Sequence, residues 1–470
     1  MQRMPGVDAG YFYMETPSLH MHTLKMAVLD PPEGYHFDML REELDRRLHL
    51  LPPFSRRVLP VPGGLYHPMW FDDASVDVAD HVHRVVLPTP GTWEQVEDEV
   101  GRIASTPLDR TRPLWEAHAI EGLADGRVVI LTKVHHALAD GVASASLLAN
   151  VMDSTPSQVP AAAPEQWHTD ALPSKPQLLA GAVRDLLRDL LRLPGLLVRT
   201  LRAVLTVVRH RRDSNGVKPP RPILDAPRTS FNRAITPRRI FATASLSLDE
   251  VKTVRRAFDA PFTDVVLAVV GGAMREWLIS RDELPERSLL AGVPVANDDA
   301  LGSNRLIGNK VSNIFTSLAT DLPDPVERLR RIGEVTNASR KMQELLGLDM
   351  LESWVQYAPP ALMSGFMKLY SRFGLANKHP PPFNVVVSNV PGPREELDIA
   401  GAHLVDLYSV GPILEGIGLN ITVWSYMNRL NFSAIACPDT LPDLRGIVDR
   451  LQPALDELVK AAENAPPSAA

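Results

Sequence analysis

Two β-prone runs, Leu114 to Leu123 and Arg127 to Val134, are joined by Ala124-Asp125-Gly126, and Asp-Gly between such runs is a strong hairpin signal. The second run ends at His135 and His136. Ala-Leu-Ala-Asp140-Gly141 follows, then Val142 to Met152, whose Ala and Leu content favours a helix with Asp140 as its N-cap. The segment therefore calls for an antiparallel strand pair that feeds directly into a helix. Two adjacent histidines stand at the hand-over.

The rest of the chain repeats this mixture without a fixed period. Leu24 to Leu29 is a short apolar run, and Phe37 to Leu50 has apolar residues near helical spacing. Arg239 to Leu246 reads as a strand, and Ser247 and Glu250 have the spacing of a capping box that opens a helix. Thr263 to Leu278 reads as a helix, while Leu289 to Val295 and Val385 to Ser388 read as strands. Leu419 to Tyr426 and Leu430 to Ala436 form a second hairpin around Met427-Asn428-Arg429. The expected class is α/β or α+β with mixed sheets.

Single cores stop growing near about 250 to 300 residues. A chain of 470 is therefore expected to divide in two: residues 1–160 with the histidine pair, a linker over 161–238, and residues 239–470. Between Ser154 and Pro176 the composition shifts to Pro, Ala, Ser and Gln, as in a surface linker. Leu178 to Arg212 follows as a pair of basic amphipathic helices, broken at Pro194-Gly195. Its leucines suit either packing on the protein's own surface or docking on a membrane or lipid droplet.

Charge and cysteine usage narrow the function classes. The 49 Lys and Arg against 56 Asp and Glu give a net charge of −7, which disfavours nucleic acid as a partner. The single cysteine, Cys437, cannot form an intramolecular disulfide. The first residues lack the pattern of a signal peptide, and no run is apolar enough to span a membrane. A cytoplasmic protein is expected, not a secreted one, with a peripheral membrane or droplet location left open.

The candidate chemistry lies in His135-His136-Ala-Leu-Ala-Asp140-Gly141. A histidine at a strand end can be held rigid against a cavity, and its ordinary pKa lets it take and return a proton near neutral pH. Asp140 reads as structural. A metal held by His135, His136 and Asp140 is disfavoured, because adjacent strand residues point to opposite faces. No G-x-S-x-G elbow, HExxH helix or Walker loop is present. Cys437 and Trp115 read as core, and His20, His22, His81 and His83 lack a partner pattern.

HHALADG resembles the HHxxxDG signature of acyl-CoA-dependent acyltransferases, the superfamily that includes chloramphenicol acetyltransferase and peptide-synthetase condensation domains. Further stretches narrow the resemblance: Met14-Glu15-Thr16-Pro17 followed by Met21-His22, Pro113-Leu114-Trp115-Glu116, Asp264-Val-Val-Leu-Ala, Gly308-Asn309-Lys310-Val311-Ser312, Ser388-Asn389-Val390-Pro391-Gly392-Pro393 and Gly418-Leu-Asn-Ile-Thr-Val. Together they resemble the bacterial wax ester synthase/diacylglycerol acyltransferases, in particular the mycobacterial triacylglycerol synthase branch. The resemblance implies a two-domain chloramphenicol acetyltransferase-like fold with a substrate tunnel between the domains.

It further implies His136 as general base, His135 as its support and Asp140 as structural. Glu15, Thr263, Asp264 and Asn389 become candidate substrate-binding residues. Thr263 stands where the family usually has Asn, which puts catalytic efficiency in question. Acyl-CoA is expected as cosubstrate with no bound metal or cofactor, and diacylglycerol or a long-chain alcohol as acceptor. The same superfamily signature also fits acylation of a polyketide, a glycolipid or another alcohol. A third alternative is a catalytically weak lipid-binding or droplet protein.

Overall fold

The computed structural model describes residues 1–73, 75–153, 171–213, 216–296, 305–347 and 349–465. Most of the Pro-, Ala-, Ser- and Gln-rich stretch 154–176, namely residues 154–170, lies outside them.

The predicted hairpin forms as strands Trp115–Glu121 and Val128–His135, which lie in a six-stranded sheet. Strand His22–Asp30 pairs antiparallel with Val128–His135, placing His22 opposite His135. Alternation sorts its side chains. Leu24, Met26 and Val28 enter the core beneath helix Trp93–Ala104, while Ala27 and Leu29 enter the core under helices Phe37–Arg47 and Gly141–Val151. Helix Trp93–Ala104 is opened by a reciprocal capping box between Thr92 and Gln95.

The second six-stranded sheet is built from later segments, in the order Val311–Ser317, Leu290–Ala296, Val385–Val390, Leu419–Tyr426, Arg429–Ala436 and Ile240–Ser247. Its central strand Val385–Val390 runs parallel to both neighbours, so the sheet is mixed. Helices Leu248–Ala257, Phe262–Ile279, Pro325–Leu346 and Leu451–Glu463 enclose its core. Ser247 caps the first of them by accepting from Glu250 N, as its spacing predicts. Among the described residues no single helix is long and apolar enough to cross a membrane. The bent pair Leu248–Ala257 and Phe262–Ile279 passes on composition, but Val265 to Met274 are buried in the core.

The two sheets are interlocked. Strands Asp398–Ile399 and Ala402–Val410 leave the second half of the chain and complete the first sheet, where Ala402–Val410 pairs along His22–Asp30. In return, Glu97 on helix Trp93–Ala104 accepts from Thr243 N at 2.7 Å and Thr243 Oγ1 at 2.8 Å, and pairs with Arg445. Sheet pairing and a buried carboxylate therefore hold the halves together.

One expectation fails locally. In place of two helices broken at Pro194-Gly195, one helix runs from Lys175 to Asp213 with Pro194 inside it. Proline removes one intrahelical hydrogen bond. Contacts on both sides carry the helix through. Tyr357 donates to Asp189 O at 3.0 Å before the proline; Trp354 Nε1 donates to Thr200 Oγ1 at 3.0 Å and Arg199 pairs with Asp349 at 2.8 Å after it.

Candidate active site

Strand Val128–His135 ends where the chain turns toward helix Gly141–Val151. His136 N donates to Met21 O at 2.7 Å, so the backbone at the turn is anchored to the start of strand His22–Asp30. The His136 ring lies flat on Tyr11, with centroids 4.3 Å apart and planes 15° apart. Its Nδ1 is 3.0 Å from Asn309 Oδ1.

The Asn309 amide can be oriented from its other bonds. Its Nδ2 donates to Asp8 Oδ1 at 2.7 Å and to His136 O at 2.9 Å, so Oδ1 is left to accept. His136 Nδ1 therefore carries the proton. Nε2 keeps its lone pair, and His136 lines a cavity of about 500 Å³. Burial pushes the imidazole down to about 4, opposed by its backbone bond, Asp140 and Asn309, so the ring is neutral at pH 7. Burial likewise raises the Asp8 carboxyl to about 7, against the two Asn309 N–H groups that favour its charged form.

His135 faces elsewhere. Its ring stacks on Phe12 at 4.2 Å, Nδ1 accepts from Ala137 N at 3.0 Å, and Nε2 is 3.3 Å from Glu15 Oε1. Burial raises the Glu15 carboxyl, but His135 and the adjacent Arg110 outweigh it and hold the group well below the usual range. Glu15 also accepts from Met21 N at 3.2 Å, and Met21 O in turn holds His136 N. Glu15 is thus one residue removed from His136. His22, unassigned in the sequence, lies 3.8 Å from the same carboxylate.

Asp140 caps helix Gly141–Val151, with Oδ1 accepting from Ala143 N at 2.9 Å. Its Oδ2 accepts from Lys310 N at 2.8 Å and from Arg305 at 2.6 Å. Arg305 also donates to Gly308 O at 2.5 Å, and Gly308 N bonds Leu138 O at 2.9 Å. Gly308 has φ +81°, a conformation that favours glycine and sets Asn309 beneath the histidine. Asp140 thereby ties the motif to a loop from the far half of the chain.

The remaining sequence candidates are not brought to the cavity. Thr263 and Asp264 begin helix Phe262–Ile279 and do not line it; Asp264 is buried beside Gly333 and Thr336. The Thr-for-Asn exchange at 263 therefore falls outside the cavity wall. Asn389 lies between Ser388 and Val390, which do line the cavity, and alternation turns it to the other face. Gly392 is close-packed: a Cβ there would overlap Ser425 O and the Trp424 indole. The residues that sequence reasoning missed are Asp8, Tyr11 and Arg305, together with the tautomer-setting role of Asn309. The only signal was the Gly-Asn-Lys stretch itself.

The catalytic domain of the wax ester synthase/diacylglycerol acyltransferase family matches residues 4–266, and the C-terminal domain of that family matches residues 307–459. The chain is 39% identical over 449 residues to "Putative diacyglycerol O-acyltransferase Rv0221" of Mycobacterium tuberculosis, covering 94% of this chain and 92% of that protein. It is 36% identical over 469 residues to "Putative diacyglycerol O-acyltransferase Rv3087" of the same organism, covering 98% of each. Among solved structures, the wax ester synthase/diacylglycerol acyltransferase of Marinobacter aquaeolei VT8 superposes with a TM-score of 0.66 at 27% identity, covering 98% of this chain and 100% of that one. The first condensation domain of the CDA synthetase shares the fold, with a TM-score of 0.58 at 16% identity over 100% of this chain and 97% of that one. The two-domain acyltransferase fold expected from HHALADG is the fold observed, and the chain belongs to the wax ester synthase/diacylglycerol acyltransferase family of acyltransferases.

Proposed function

We propose that the protein transfers a long-chain acyl group from acyl-CoA to the free hydroxyl of diacylglycerol, with long-chain alcohols as secondary acceptors. The observation that carries this reading is the neutral His136 in the cavity wall, with Nδ1–H committed to Asn309 and the Nε2 lone pair left to accept a proton. Nε2 takes the proton of the acceptor hydroxyl as its oxygen attacks the thioester carbonyl. The tetrahedral oxyanion then collapses, the C–S bond breaks, and the thiolate recovers the proton from Nε2. No covalent enzyme intermediate forms. Asn309 holds the ring in the reactive tautomer, and Asp140 and Glu15 act as positioning residues through the loop at 305–310 and through Met21. The two halves of the chain serve as donor and acceptor sides of the cavity.

The lipid substrates suit a peripheral location. Helix Lys175–Asp213 leaves Leu191 83% and Leu201 61% exposed, beside Arg184, Arg188, Arg192 and Arg202. Helix Pro360–Arg372 exposes Leu362, Phe366 and Leu369 while Met363 and Met367 line the cavity. Both faces suit an anionic lipid surface. Replacing Leu191 and Leu201 by Glu is expected to release the protein from sedimenting phosphatidylglycerol vesicles; unchanged sedimentation removes that helix from the docking surface.

The deciding experiment offers wild type and His136→Ala oleoyl-CoA with dioleoylglycerol or hexadecanol, following free thiol and extracted neutral lipid. Wild type is expected to form ester, and the variant to lose about 10²- to 10⁴-fold in rate. If folded wild type binds acyl-CoA yet forms ester with neither acceptor, the reading is withdrawn.

A further inference from the structure

Two lysines are buried in the first sheet, and their surroundings differ. Lys133 Nζ pairs with Glu116 at 2.9 Å and lies 3.3 to 3.4 Å from Ile103 O, Thr106 O and Thr106 Oγ1. Lys25 Nζ donates to Ser409 Oγ at 2.6 Å and lies 4.9 Å from the centre of the Trp424 ring. Among the described residues it has no other hydrogen-bond partner. An ammonium carries three N–H donors, and leaving donors unmet in a buried site is costly. Two remain that no described residue meets with a hydrogen bond.

The position of Lys25 indicates what could meet them. Lys25 and Thr23 line the same cavity as His136. Lys25 also lines a second, narrower cavity of about 70 Å³, walled by Ala27, Leu44, Phe54, Ile130 and Leu147. This crevice lies between the sheet and helices Phe37–Arg47 and Gly141–Val151. The amine therefore stands where the catalytic chamber meets an apolar crevice. A ligand that reaches from His136 past Lys25 into the crevice has a hydroxyl, then an oxygen acceptor, then an alkyl chain. Diacylglycerol has that order; a simple alkanol lacks the second oxygen.

We propose that Lys25 selects the acceptor by donating to an ester carbonyl of the glyceride, with the first carbons of that ester's chain entering the crevice behind it. The inference rests on the acyl-transfer reading above and names a specificity-determining residue for it. Burial lowers the Lys25 amine to about 8, against the pull of Asp140, so at neutral pH the donor form predominates.

The test compares 1,2-dioleoylglycerol, its 1,2-dioleyl ether analogue, which lacks both carbonyls, and hexadecanol, all with oleoyl-CoA. Wild type is expected to use the diester with a kcat/KM about tenfold or more above that of the diether. Lys25→Met should collapse that ratio and lower the diester-to-hexadecanol ratio by a similar factor. Equal use of diester and diether by wild type overturns the proposal without requiring a variant to fold. An unchanged ratio in active Lys25→Met overturns it as well. Binding of the same lipids, read from tryptophan fluorescence with Trp424 beside the amine, decides the question separately from turnover. Wild type that makes no ester sinks the acyl-transfer reading, whereas a diester preference in binding that Lys25→Met abolishes still upholds the role of Lys25.

Discussion

Asn309 Oδ1 meets His136 Nδ1 at 3.0 Å across 173 residues of sequence, and the same amide donates back to His136 O at 2.9 Å. One side chain therefore grips both the ring and the backbone of the histidine, and its own orientation is set by Asp8.

Removing that grip should disable the site without emptying it. Asn309→Ala leaves the ring free to place its proton on either nitrogen, and the tautomer with Nε2–H cannot accept from the acceptor hydroxyl. The expected result is a fall in kcat of about 10²-fold or more with a smaller change in KM. Steady-state kinetics on protein with an unchanged circular dichroism spectrum checks it, and a rise in KM with kcat unchanged would show that the amide only binds substrate.

The pH profile follows from burial of His136. With its imidazole lowered to about 4, the base form is present throughout the neutral range, so kcat/KM should stay level from about pH 5.5 to neutrality and fall below it. An inflection near the ordinary histidine value that persists in Asp8→Asn, whose own carboxyl would otherwise titrate at about 7, would mean that the ring is solvated in the working enzyme.

Asp8 should leave its mark on stability. Its carboxyl is raised to about 7 in the fold, so the contribution of the protonated form is full below the unfolded value near 4 and is lost as pH rises through about 7. Asp8→Asn keeps an oxygen for the two Asn309 N–H groups and removes the titration. Thermal unfolding at pH 5 and pH 8 should differ less in the variant than in wild type, and an equal difference in both would assign the pH effect to another group.

Asp140 is expected to matter for folding more than for proton transfer. Asp140→Ala removes a helix cap, worth about 0.5–2 kcal/mol, and the buried carboxylate that pairs with Arg305, worth about 3–5 kcal/mol. A lowered denaturation midpoint measures this, whereas a midpoint within error of wild type would show that the loop at 305–310 is held by its other bonds.

Gly6 opens the helix that carries Tyr11 and Phe12, and a Cβ there would overlap the Gln356 backbone. Gly6→Ala should tilt that helix, displacing the stacking partners of both histidines. Loss of activity together with a lower unfolding temperature is expected; full activity would mean that Gln356 yields.

The hairpin at 115–135, the Asp140 and Ser247 caps and the helix at 262–279 were legible in the sequence, because each depends on neighbours within a few residues. The place of His136 just past the strand end was legible for the same reason, as was Asp140 as the cap of the helix that follows. Local pattern could also mislead: Pro194-Gly195 reads as a break until contacts from Trp354, Asp349 and Tyr357 are known. Thr263, Asp264 and Asn389 were marked as substrate contacts by motif alone, but face direction is a property of the packed sheet and helices, and they do not line the cavity. By itself the sequence determined which elements form, which histidine ends the strand and which family the motifs resemble. Only the tertiary structure decided which nitrogen of His136 bears the proton and which lysine faces the cavity. Those choices depend on side chains brought together from more than a hundred residues away, and on burial that removes water as the alternative partner.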